Sequence, residues 1–331
     1  MHYTERMGRV IAVTNLKGGI GKTTTVVNLS AGLALKGARV LLVDVDPQGN
    51  LSMALGVSAR RTLYNVLVED AQVADCITSA RPNLDLLAAD AALLVAQPEL
   101  AQRPNWSRLV EQAIRPVRSA YDFIIIDCGG SLTVLNLNAL HAASDIVVPT
   151  TVEPFSLKGL SMLVEQLVRV KGSASSLRAI VPTLYDPRTR QAVELLDQLR
   201  ATYGNLITEP IRVNVRLSEA SAQGQTIYEF DPRSRGAADY ARLVEQLSAW
   251  WAFTVPTPIV AATESDPTPA TPAQTPPEHA RPVVAGIGSP ETLTCPHCGK
   301  GLQRATVAGY RVTYCNQCHY RRQELISGPR R

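Results

Sequence analysis

Residues 11 to 25, IAVTNLKGGIGKTTT, join a run of strand formers to a helical pattern through a turn that holds three glycines and two lysines. Few chain geometries accommodate such a turn. Gly18, Gly19 and Gly21 can take positive φ and carry no Cβ, so successive backbone N–H groups can point at one anion. The helix that follows adds the positive end of its dipole. On the strand side, Val10 to Thr14 is apolar; on the helix side, Val26, Leu29, Ser30, Leu33 and Ala34 recur at the spacing of an amphipathic helix, and Lys36-Gly37 reads as its stop. A glycine turn between unrelated elements would carry neither flank. The arrangement is a βα unit built to cradle phosphate.

The cradle fits the P-loop pattern G-x-x-x-x-G-K-[ST] only with an adjustment, because Leu16 stands where the first glycine of the pattern would be. Lys22 is placed to reach the β- and γ-phosphates and the Thr23 hydroxyl to hold Mg²⁺. Lys17 is an extra lysine. Two later segments complete a nucleotide site. Arg39 to Val43 reads as a second buried strand, and it delivers Asp44-Val45-Asp46-Pro47-Gln48-Gly49-Asn50 to the carboxyl edge of a sheet, where ligands of open α/β folds bind. Tyr121 to Asp127, YDFIIID, is an apolar run ending in an acid that can contact the magnesium shell. Strands are predicted near 10, 40, 84, 123, 145 and 178, and helices near 22, 106, 132, 157, 190 and 237. That alternation predicts an α/β P-loop fold with a doubly wound, mostly parallel sheet flanked by helices.

On these motifs the chain resembles the ParA/MinD family of deviant-Walker-A ATPases, and within it the ParA/Soj partition ATPases. The resemblance runs from about Arg9 to Trp251 and rests on NLKGGIGKTTTVVNLSAGLA, VLLVDVDPQGNLSMALG, YDFIIIDCGGSL followed by LNAL, SLKGL, and NVRLSEA with Ser234-Arg235-Gly236-Ala237 and Tyr240. It implies ATP and Mg²⁺ as cofactors and ATP hydrolysis as the reaction. Lys17, Gly18, Gly19, Ile20, Gly21, Lys22, Thr23 and Thr24 would then line the phosphates, and Asn214 would lie against the base. Thr23, Asp44 and Asp127 would serve the magnesium shell, and Lys22 would act in catalysis. Lys17 would be the signature lysine that crosses an ATP-dependent homodimer to the partner's phosphates, and Asp46 would position the attacking water. The resemblance further implies nonspecific DNA binding by the dimer through Arg188 and Arg216, with Arg190, Arg212, Arg233 and Arg235 as additional candidates by proximity. Its expected partner is a ParB-like or other cargo adaptor that accelerates hydrolysis and so drives segregation of chromosome or plasmid DNA. A MinD-like or other positioning ATPase and a metal-cluster carrier ATPase are the alternatives.

Two departures from the family pattern stand out. The family commonly carries two prolines after the Walker-B Asp-Cys, whereas Gly129-Gly130 follow Cys128 here, and two glycines would loosen the switch loop. Its usual Pro-Arg before Asn-Val-Arg is replaced by Arg212-Val213. Cys128 itself reads as a small buried residue.

Composition changes abruptly after Trp251. Nine prolines fall between Val255 and Pro290, mixed with Ala and Thr, which predicts an extended tether. Cys295-Pro296-His297-Cys298 and Cys315-Asn316-Gln317-Cys318 follow, sixteen residues apart, and resemble a zinc ribbon in which four thiolates close a tetrahedral Zn²⁺ site flanked by His297 and His319. Residues 291–331 carry seven Lys/Arg against two Glu, so this tail is a candidate for docking either nucleic acid or protein. The expected organisation is an ATPase domain at 1–254, a linker at 255–290 and a zinc ribbon at 291–331. No apolar run approaches the roughly 18 residues of a membrane helix, and MHYTERMGR lacks the apolar segment of a signal peptide. A cytoplasmic, nucleoid-associated protein with no stable membrane insertion is expected.

Overall fold

A computed structural model describes residues 7–254 and, beyond them, 294–295, 298–300, 302–307, 310–314 and 321–325. The chain divides into two compact units, Met1–Val260 and Ala261–Arg331. In the first unit seven strands form one sheet: β1 Arg9–Val13, β2 Val40–Asp44, β3 Ile77–Arg81, β4 Leu84–Leu87, β5 Phe123–Asp127, β6 Asp145–Thr151 and β7 Leu177–Thr183. Their order is β3-β4-β2-β5-β1-β6-β7. Every neighbouring pair is parallel except β3 with β4.

The helices are α1 Lys22–Leu35, α2 Asn50–Leu55, α3 Leu63–Val68, α4 Ala92–Leu100, α5 Leu109–Ile114, α6 Val134–Ala142, α7 Pro154–Lys171, α8 Arg190–Tyr203, α9 Val215–Ala222, α10 Ile227–Phe230 and α11 Arg235–Trp250. They cover both faces of the sheet. Strand side chains alternate between two cores, as the period of two requires. Ile11, Val13, Leu42, Ile125 and Val147 pack with residues of α1, α2, α9 and α11. Val10, Ala12, Leu41, Val43, Ile124 and Ile126 pack with residues of α3 to α8. The sheet is therefore doubly wound, and all six predicted strands are present.

Three expectations change. β3 was not anticipated, because ITSAR alternates without a strong apolar face and its residues are only half-buried. The helix expected near 106 begins as a single 3₁₀ turn, Trp106–Arg108, before α5. And α1 is not amphipathic in place: every residue from Thr25 to Ala34 is buried, since α11 covers the side that the sheet does not.

Register sets up the site. Val13 pairs with Asp127, and Asp127 with Asp44, so the loops leaving β1, β5 and β2 emerge side by side at one carboxyl edge. Behind the far end of that edge, Arg81 ties two helix ends together. Its guanidinium donates to Leu55 O, at the end of α2, and to Gly224 O, just past α9, while its Nε pairs with Glu229. Gly56 and Gly224 are both left-handed there, and a Cβ on Gly224 would lie 2.6 Å from Gly56 Cα. Only glycine allows that contact.

In the second unit, β8 Gln303–Val307, β9 Tyr310–Tyr314 and β10 Arg321–Leu325 form an antiparallel sheet of order β10-β9-β8. Cys295 N–H donates to Lys300 O (2.7 Å), Gly299 N–H donates to Cys295 O (2.9 Å), and Gly299 is left-handed. Cys315, Cys318, His297, His319 and the proline-rich linker lie outside the described residues. Among the described residues no helix is long and apolar enough to cross a membrane, and no group of three or more His, Cys, Asp or Glu gathers as a metal site.

Candidate nucleotide site

The loop between β1 and α1 opens onto a cleft of about 930 Å³. Gly19 (φ 71°) and Gly21 (φ 86°) are left-handed, and a Cβ on Gly18 or Gly19 would meet nothing within 4 Å, so the backbone presents a bare face to the cleft. Behind the loop, the Thr183 hydroxyl donates to Ile20 O (2.8 Å) and fixes it to the end of β7. Ile20 itself is buried and serves as the anchor of the loop.

Lys22 Nζ donates to Lys17 O at 2.8 Å, folding back over the cradle. Burial lowers its pKa, while the nearby Asp127, Cys128 and Asp46 act in the opposite direction. Thr23 Oγ1 donates to Asp127 Oδ2 (2.7 Å). Asp127 is fully enclosed, and burial pushes its carboxyl up to about 7, against the pull of the Thr23 hydroxyl and Lys22. Its other oxygen, Oδ1, is buried without a hydrogen-bond partner. A buried carboxylate with one spare oxygen beside a hydroxyl has the donor set that a magnesium ion would use. Asp44 sits deeper: Oδ1 accepts Asp46 N–H (3.0 Å) and Oδ2 accepts Leu51 N–H (3.2 Å). Burial and the Asp127 charge raise its pKa well above the usual carboxylate range. Asp44 thus holds the 44–51 loop from behind, while Asp46 lines the cleft.

Lys17 turns away from its own cradle. Its ammonium donates to Glu153 Oε2 (2.8 Å), Thr151 Oγ1 (3.3 Å) and Ser156 Oγ (3.5 Å) at the end of β6 and the start of α7. Both members of the Lys17–Glu153 pair are about half exposed, and such pairs contribute roughly 0–1 kcal/mol. The lysine is parked, not locked.

At the far end of the cleft Met53, Ala54, Leu184, Ile211, Leu217 and Tyr240 supply an apolar wall of the kind that receives a planar base. Asn214 is present there, and its Oδ1 caps α9 by accepting Arg216 N–H (3.0 Å). Arg212 also lines the cleft, but it is committed to Asp239, whose carboxylate accepts its N–H, Nε and Nη2. That pairing removes Arg212 from the candidate DNA contacts. Arg188 is exposed and paired with Asp186; Arg216 pairs with Glu219 and Asp231 and lies over the Phe230 ring. The switch loop is tighter than two glycines suggest. Asn136 Oδ1 accepts Gly129 N–H (3.0 Å), and its Nδ2 donates to Gly129 O and Ser131 O. Cys128 is buried, as expected, and burial raises its pKa. Glu153, Thr151, Asn136 and Thr183 escaped the sequence reading, since single polar residues outside a motif give no signal before the chain folds.

Phosphate cradle, spare carboxylate and apolar base wall together define a P-loop ATPase. A family profile, AAA_31 (AAA domain), matches residues 8–179. The sporulation initiation inhibitor protein Soj of Bacillus subtilis is 39% identical over 251 residues, 73% of this chain and 99% of that protein, and the chromosome partitioning protein ParA of Caulobacter vibrioides is 39% identical over 249 residues, 72% and 93%. The chain belongs to the ParA/Soj family and is a partition or positioning ATPase. Among solved structures, cobyrinic acid a,c-diamide synthase from Mycobacterium smegmatis with bound ADP and magnesium shares the fold at a TM-score of 0.64 and 31% identity, covering 74% of this chain and 96% of that one.

Proposed function

We propose that this ATPase forms a homodimer on binding Mg-ATP, that the dimer binds DNA without sequence preference, and that a ParB-like or other adaptor triggers hydrolysis and release, moving chromosome or plasmid DNA. The observation that carries this reading is the placement of Lys17. It directly precedes Gly18 of the cradle yet is held outside the cleft on a weak, half-exposed pair with Glu153, available to a second subunit, while Lys22 alone serves the cradle in cis. Thr23 and Asp127 would hold the magnesium ion, with Asp44 setting the loop behind them; the metal would neutralise phosphate charge. The spare Asp127 Oδ1 supports that assignment. Gly18, Gly19, Gly21 and Thr24 would donate to phosphate oxygens, Asn214 would contact the base, and Asp46 would orient the attacking water. Phosphoryl transfer asks for alignment and charge neutralisation more than covalent chemistry, so a charge delivered only by the partner makes turnover wait for assembly. This activity would place the protein in the cytoplasm, on the nucleoid.

Arg188 and Arg216 are the proposed phosphate contacts on DNA. Their present partners, Asp186, Glu219 and Asp231, are only partly buried, so DNA can replace them without uncovering a fully buried charge. The test is binding to random-sequence duplex DNA at two salt concentrations with ATP and with ADP. Salt-sensitive binding in ATP alone is expected, and Arg188→Ala should lower the salt slope by about one. Binding that ignores the nucleotide would overturn the dimer-gated reading.

We also assign a structural zinc ion to Cys295, Cys298, Cys315 and Cys318. The hydrogen bonds that tie Cys295 to Gly299 and Lys300, just past Cys298, are the observation that supports it. Metal analysis of the full chain should return one zinc, lost in Cys298→Ser; a metal-free native protein would refute the ribbon.

A further inference from the structure

Strand pairing in the second unit sorts its residues by face. β9 pairs antiparallel with both β8 and β10, so residues directly opposite one another share a face and successive residues alternate. One face holds Ala305, Val307, Tyr310, Val312, Tyr314 and Leu325, which are all the apolar and aromatic residues of the three strands. The other holds Arg304, Thr306, Arg311, Thr313, Arg322 and Glu324, with no apolar residue among them. Segregation this complete is the pattern of an antiparallel sheet with one face for a core and one for solvent or a partner.

The polar face has a consistent chemistry. Arg304, Thr313 and Arg322 form one row across the three strands, and Thr306, Arg311 and Glu324 form the next. Guanidinium and hydroxyl donors of this kind are the ones that hold phosphate. Every cation in the set is an arginine, whose forked donors meet phosphate oxygens in pairs. Neighbouring strands lie about 4.8 Å apart, so the backbone positions of Arg304 and Arg322 are about 10 Å apart, with Thr313 between them. Duplex DNA carries about six phosphate charges in such a length, so a strand laid across the face has a partner for each arginine.

We propose that this face of the C-terminal sheet is an auxiliary DNA-binding surface, taking phosphates of the same duplex that the ATPase dimer holds. The inference rests on the DNA-binding reading above and adds, in a separate unit, a second set of contacts to those of Arg188 and Arg216. Three arginines alone hold a duplex weakly, because even proteins with many more phosphate contacts bind non-specifically at only about 10⁻⁴–10⁻⁶ M. Carried on the same chain, they act at high effective concentration once the dimer is on DNA, and so strengthen binding without releasing it from its dependence on ATP.

The test is a salt titration of random-sequence duplex binding by the full chain in Mg-ATP. Arg321 and Arg322 are neighbours on β10 that lie on opposite faces, so they form a matched pair. Arg322→Gln should lower the salt slope by about one and Arg304→Gln with Arg322→Gln by about two, while Arg321→Gln removes the same charge and should leave the slope unchanged. Arg304→Lys with Arg322→Lys should keep most of the slope, which separates lost charge from a sheet that fails to fold. Equal falls for Arg321→Gln and Arg322→Gln, or a fall for the lysine pair as large as for the glutamine pair, would overturn the assignment. So would a slope that none of these changes moves, which would leave the face to an acidic protein segment. Failure of the unaltered chain to bind duplex in Mg-ATP would overturn the DNA-binding reading itself, and this inference with it.

Discussion

Mixing a Lys17→Ala protein with an Asp46→Ala protein should restore ATP hydrolysis that neither has alone. Each variant by itself lacks one half of every site: the first has no lysine to offer its partner, the second no acid to orient water. In a heterodimer, the subunit with an intact Asp46 receives an intact Lys17 from the other. Random mixing makes half of the dimers hetero and leaves one of two sites working in each, so recovery should reach about a quarter of the unaltered rate. A charge delivered to the transferring phosphoryl group from outside the site is worth about 10³ or more in rate, so the separate variants should be nearly silent. The Lys17 ammonium lies with Glu153, Thr151 and Ser156 in the isolated chain, so an action in cis would require it to swing back over its own loop. If it does so, mixing recovers nothing. Glu153→Gln serves as the control, and should cost little, because the pair it breaks is half exposed.

Asp127→Asn should stabilise the nucleotide-free protein and abolish its magnesium-dependent hydrolysis. Burial lifts the Asp127 carboxyl from its reference value of 3.8 to about 7 in the folded chain, and the Asp44 carboxyl is shifted in the same direction. A raised folded-state pKa means that the native protein holds a proton which the unfolded chain has released. The stability linked to that proton is full below about pH 4 and is lost as pH rises to about 7. Above pH 7 the nucleotide-free protein carries a buried charge that the Thr23 hydroxyl and Lys22 compensate only in part. Asparagine keeps the shape and removes the charge, so melting measured at pH 8 should rise by several degrees, with the gain fading toward pH 4. Magnesium and nucleotide should stabilise the unaltered protein far more than the variant, and hydrolysis in the variant should fall by about 100-fold or more. A variant that melts lower at pH 8 and still hydrolyses would show that the spare oxygen has another purpose.

Much of this was legible before folding because it is written in local patterns. The glycine spacing of the cradle and the acids ending apolar runs carry their chemistry in adjacent residues, and the positions of six strands follow from apolar runs bounded by turns. What escaped was long-range or negative in character. Asn136 clamps Gly129 from seven residues away, and Glu153 holds Lys17 from 136 residues away. No periodicity announces either. The two glycines after Cys128 read as slack because glycine loosens a chain whose neighbours are unknown, whereas in place Asn136 holds Gly129 and Asp46 approaches it so closely that a Cβ there would lie 3.3 Å from Asp46 Oδ2. Arg212 read as a surface charge because the sequence does not show that Asp239, on α11, is turned inward to meet it.

The knot at Arg81 gives the cleft one immovable jaw. α2 and α9 bring Met53, Ala54, Leu217 and Ser218 to the base end, and both helices are pinned at their tails by the same guanidinium and by two glycines with no room between them. Any closing over a bound nucleotide must then come from the opposite side, where the loops after β2 and β5 carry Asp46 and Gly130. The molecule would grip like a bench vice, with all of its travel on the phosphate screw, and a chain that kept every phosphate motif but lost Arg81 would still seat the triphosphate while letting the rest of the nucleotide rattle.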